Sequence, residues 1–197
     1  MNSPLTVAAF RQILEQEARE LFVTLADDNT TAVLFAEAPT GEVGEVAYYD
    51  VSGLDEVGKV ELALDLNVRL QRAAAVKAGW LMPGVGADGR EYLLLLVAGP
   101  EGSEAVIAEV GFGRGRARLG PWSEPTVSVE GLFVTPLAAA VASNRSRALA
   151  ECRARGWYAK RAEVGWEPCE PSEPGAREDL NRWIWFVGHG YDGHYEF

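Results

Sequence analysis

Val60-Glu-Leu-Ala-Leu-Asp-Leu-Asn-Val-Arg-Leu70 is the stretch on which the fold turns. Its even positions, Val60, Leu62, Leu64, Leu66, Val68 and Leu70, are all apolar; its odd positions are Glu61, Ala63, Asp65, Asn67 and Arg69. Strict alternation gathers every apolar group on one face if the chain is extended, because strand side chains alternate with period two. Wound as a helix, the same leucines spread around the whole circumference. Composition pulls the other way: leucine, alanine, glutamate and arginine are better helix than strand formers, and Asp65 to Arg69 is a helical ion-pair spacing. Period outranks propensity in this reading, so a strand is expected over 60–70.

Upstream, Val7, Phe10, Ile13, Leu14, Ala18, Leu21, Phe22 and Leu25 recur at three- and four-residue spacing, opposite Arg11, Glu15, Arg19 and Glu20. That is an amphipathic helix, with Thr6 or Ser3 as its cap and Asp27-Asp28-Asn29 as its stop. Residues 31–36 and 45–51 read as strands. Downstream, residues 71–78 are a short helix or a turn, and 83–89 a flexible glycine-rich loop. Segments 91–98 and 104–110 form a hairpin across Gly99-Pro-Glu-Gly-Ser, and 112–119 extends the sheet. Tyr92-Leu-Leu-Leu-Leu-Val is apolar at every position, as expected of a central strand covered on both sides. Short strands are expected at 126–130 and 132–134. A second helix runs from Thr135-Pro136 to Arg155, stopped by Gly156. Strands follow at 157–164 and at Trp183-Ile-Trp-Phe-Val, with a short helix at 177–182 between them. The expected fold is therefore α+β: an antiparallel or mixed sheet with two long helices packed on it. It forms a single domain over 1–197, with a proline-rich acidic loop at 166–178 and a glycine- and aromatic-rich tail at 188–197.

Composition excludes several classes. A chain of 197 residues buries roughly 70% of its unfolded surface, so a real core is available. The net charge of −11 repels nucleic acid and anionic lipid and suits a cationic partner. The charge is uneven: residues 1–70 hold 13 acids and 4 bases, 71–165 hold 9 and 12, and 166–197 hold 7 and 2. Two cysteines, Cys152 and Cys169, are too few for a disulfide scaffold and fit no zinc spacing. The start lacks the pattern of a signal peptide, and no apolar run approaches the ~18 residues of a membrane span. A cytoplasmic protein with free thiols is expected, and the sequons at Asn29 and Asn144 then carry no glycan.

Three features offer chemistry. His189, Asp192, His194 and Glu196 gather both histidines of the chain beside two carboxylates, ligands suited to a divalent metal and a metal-assisted hydrolase. Their spacing matches no established motif, and a terminal turn with its polar groups in water is the commoner role. Arg114, Arg116 and Arg118 share one face of an extended segment, a stripe fit for a phosphate or nucleic-acid backbone. A solvated strand face paired with glutamates is again commoner. The glycines around them do not make a phosphate loop, since Pro121 and a strand follow where a helix is required. Trp183, Trp185, Tyr191 and Tyr195 suit stacking but fit core packing better, and Trp80 and Trp122 are expected as half-buried indoles. Cys152 sits on an apolar helix face with no histidine near it, and no nucleophile elbow occurs. The balance favours a non-enzymatic acidic protein, of inhibitor or immunity type, that masks a basic partner. No cofactor is predicted, and nucleic acid is a poor fit.

Overall fold

In a computed structural model the described residues are 5–25, 30–39, 41–113, 116–142, 158–161 and 166–169, with Ser172 and Pro174. The chain opens with α1 (Val7–Leu25), whose first turn is capped where Thr6 Oγ1 accepts from the Ala9 amide at 3.1 Å. Next come β1 (Thr31–Glu37), β2 (Val43–Asp50), α2 (Glu56–Arg72), β3 (Lys77–Val85), β4 (Glu91–Gly99) and β5 (Gly102–Gly113). After these lie β6 (Arg116–Trp122), β7 (Thr126–Val127) and α3, described over residues 134–142. The last elements, β8 (Tyr158–Arg161) and β9 (Trp166–Cys169), pair as a separate two-stranded sheet.

All pairings of the main sheet are antiparallel, in the order β2-β1-β3-β4-β5-β6. The outer side of β5 is shared: β6 pairs its later half, and β7 joins at Glu104 and Ala105. The fold is thus α+β, with helices on both faces of a seven-stranded antiparallel sheet. β4 explains this layering. Leu93, Leu95 and Val97 point to the face where α1 lays down Val7, Phe10, Leu14 and Ala18. Leu94, Leu96 and Ala98 point to the opposite face, under Leu62, Leu66 and Leu70 of α2 and Leu137 and Val141 of α3. A strand apolar at every position needs both covers, as the sequence implied.

The main correction concerns 60–70, which is helix and not strand. Asp55 caps it by accepting from the Gly58 amide at 2.8 Å, Glu56 stands in its first turn, and Arg69 and Arg72 in its last, each suited to the helix dipole. The Asp65–Arg69 pair forms at 2.6 Å. Local propensity and end signals therefore outweighed the alternation.

Smaller differences follow from pairing. β3 continues through Pro83 to Val85, where a loop was expected. Beyond Leu81 it pairs with β4 alone, an edge position where proline's missing amide is tolerated. Residues 132–134 are not a strand but a turn at 132–133 and the first described residue of α3. The expected acidic loop begins as a strand, since Trp166–Cys169 pairs with β8. Trp80 is not half-buried. It lies wholly inside, edge-on to Tyr49 at 5.5 Å and tilted on Phe133 at 6.0 Å. Among the described residues no helix is long and apolar enough to cross a membrane.

Candidate functional site

His189, Asp192, His194 and Glu196 lie outside the described residues, as do Arg114, Cys152 and Trp183. Arg116 opens β6 opposite Gly113, and Arg118 stands two positions on, opposite Gly111 and exposed. Among the described residues no group of three His, Cys, Asp or Glu side chains is arranged to hold a metal ion.

Described residues line two concavities of note. One, of about 330 Å³, lies between the first turn of α1 and the β4–β5 turn, lined by Thr6, Val7, Ser103, Glu104, Val127 and Ser128. Its polar groups already serve the fold. Thr6 caps α1, Ser103 Oγ donates to the Val129 carbonyl at 2.8 Å, and Glu104 binds Arg11 at 2.7 Å. Burial alone would lower the Arg11 pKa, but its bonds to Glu104 and Glu15 outweigh that and raise it. The other, of about 520 Å³, is a shallow apolar basin of Val85, Leu94 and Ile107 at the β3–β4 turn. At its rim Asp88 accepts from the Arg90 amide at 3.1 Å and the Tyr92 hydroxyl at 2.9 Å. These bonds hold the Asp88 carboxyl below the usual carboxylate range, and the same hydrogen bond pushes the Tyr92 phenol up.

The feature that sequence reasoning missed is the outer side of α2. Leu62, Leu66 and Leu70 turn inward, four residues apart, and are buried. Val60, Leu64 and Val68 are also four apart but offset by two residues, which rotates them about 200° around a helix. With Val57 they form a second apolar stripe facing solvent, 65% (Val57), 47% (Val60), 62% (Leu64) and 40% (Val68) exposed. Scattered apolar residues on a surface need no explanation, but four in one line at helical spacing make a contiguous patch of the kind that marks contact surfaces. The signal was present in the alternation itself, which on a helix means two opposed apolar faces.

Around the stripe the exposed charge is acidic. Glu56 and Glu61 are exposed, whereas Lys59 is held by Glu56 at 2.7 Å and Arg69 is buried against Asp65 and the Tyr49 ring. Elsewhere Arg90 is held by Glu109 at 3.1 Å, and Lys77 by Glu37 inside the protein. No family model matches the sequence, and no curated protein or solved structure is significantly similar to it.

Proposed function

We propose that this chain is a non-catalytic binding protein that docks a cationic protein partner, as an inhibitor or immunity-type protein does. One observation carries the reading: α2 keeps a second apolar face in water. Burial of a stripe of this kind supplies the non-directional attraction of association. The acidic rim and the net charge of −11 supply steering and partner choice. Like charge also disfavours nucleic acid as the occupant.

The test is affinity recovery from native lysate with wild type and with Leu64→Glu, circular dichroism being used to show that both are folded. A stoichiometric partner that is recovered by wild type, weakened by salt and lost with Leu64→Glu supports the reading. Recovery of salt-insensitive background alone, or equal recovery by both proteins, overturns it.

A further inference from the structure

Resting on that reading, we propose that the occupant of the outer face of α2 is a cationic amphipathic helix. It lies along Val57, Val60, Leu64 and Val68, with its basic residues against Glu61. Shape argues for a helix. The stripe is a convex ridge, straight over about 16 Å at 1.5 Å per residue, and its three- and four-residue steps mesh with the grooves of another helix. An added strand needs a sheet edge, which this surface does not offer. Charge argues for a basic occupant. Glu61 stands within about a turn of Val57, Val60 and Leu64, and the α2 cations nearest it are engaged: Lys59 with Glu56, Arg69 with Asp65.

A second copy of this chain is the competing occupant, and charge opposes it. Two such chains each carry −11. Parallel pairing of the stripes sets Glu61 against Glu61, and antiparallel pairing about the stripe's midpoint leaves the two carboxylates within a turn of each other. A cationic helix meets no such repulsion.

The experiment uses the full chain and three probe peptides of about 18 residues, long enough to hold a helix. One carries leucine on one face and lysine on the other. The second replaces lysine with glutamate, and the third scrambles the lysine peptide. Methyl NMR and titration calorimetry are the readouts. The expected result is saturable binding of the lysine amphipath alone, with the methyl signals of Val57, Val60, Leu64 and Val68 shifting. Glu61→Lys weakens it about tenfold, the effect of exchanging one attraction for one repulsion at a partly desolvated rim. Leu64→Glu abolishes it. That variant discriminates sharply, since it adds an acid and strengthens any purely electrostatic association.

Four results overturn the inference. The lysine peptide shifts signals elsewhere while the stripe stays still; the glutamate or scrambled peptide binds as tightly; Leu64→Glu binds as well as wild type; or sedimentation shows a wild-type dimer that the lysine peptide does not dissociate. The first moves the site off α2, and the reading of a cationic partner then rests on the lysate experiment alone. That reading itself fails only in the lysate experiment, so the two failures are distinguishable.

Discussion

Lys77 carries its ammonium into the interior, 2.9 Å from Glu37 across the β1–β3 register, and both side chains are buried. The other carboxylate oxygen of Glu37 accepts from the Leu5 amide at 2.9 Å, so the pair also ties down the entry to α1. Removing one partner strands the other charge without water. Lys77→Met is expected to cost about 3–5 kcal/mol, read from urea unfolding, whereas Lys77→Met with Glu37→Leu recovers most of it. Equal losses in the single and double variants would show that the pair is not what matters. At the surface, Asp88 gives a pH test. Its folded pKa is depressed, so its contribution is present above the ordinary carboxylate pKa of about 4 and fades as pH falls through the folded value. Carboxyl NMR is expected to show Asp88 titrating below the ordinary aspartate range. In Asp88→Asn the Tyr92 phenol, followed by ultraviolet titration, moves down towards its ordinary value. At this scale the sequence was uneven: the Thr6 cap was legible because its partner is three residues away. The Lys77–Glu37 pair was not, because it depends on a register between strands 40 residues apart.

Between elements, Gly79 sets how closely α1 approaches the sheet. A Cβ built there meets Leu14 Cδ1 at 2.1 Å and Phe35 Cβ at 3.5 Å. Gly79→Ala therefore forces Leu14, fully buried, out of its place, at an expected cost of about 1–3 kcal/mol. Trimming the obstacle with Leu14→Ala costs less in the Gly79→Ala background than in wild type, a coupling that a double-mutant cycle reads directly. The two faces of α2 make a matched pair of expectations. Leu66→Ala, on the inner face, loses about 2–5 kcal/mol. Leu64→Gln, on the outer face, changes stability by no more than about 0.5 kcal/mol, although it removes as large an apolar side chain. Thermal melts of the two variants check this, and equal losses would mean that Leu64 is a core residue. The same comparison explains the misreading of this element. Apolar residues at every second position satisfy a one-faced strand and a two-faced helix equally well. The alternation argument assumed that a soluble helix has one apolar face. α1 obeys that assumption, with Phe10, Leu14 and Ala18 on its single stripe, and was legible. α2 departs from it at the surface proposed for binding, so the misreading of this one element and the missing of that surface have one cause.

For the whole molecule, charge makes two opposite expectations. The surplus of acid repels itself in the compact state, and added salt screens exposed charges over a distance that shrinks to about 8 Å at physiological ionic strength. Among the described residues the pair of Lys77 with Glu37 is buried on both sides and escapes that screening. Exposed pairs such as Lys59–Glu56 and Arg90–Glu109 contribute little each because solvent screens them, so their weakening does not offset the relief of repulsion. The melting temperature of the isolated protein is therefore expected to rise between low salt and about 0.5 M sodium chloride, where screening reaches only a few ångströms. Docking of a cationic partner relies on the same surplus with the opposite sign, and its affinity is expected to fall over that range. Calorimetry of the protein alone and titration of the complex, in matched buffers, check both slopes. If the two move together, salt is acting through apolar burial and not through charge. The acidic surface would then be a solubility feature, and the choice of partner would rest on the stripe of α2 alone.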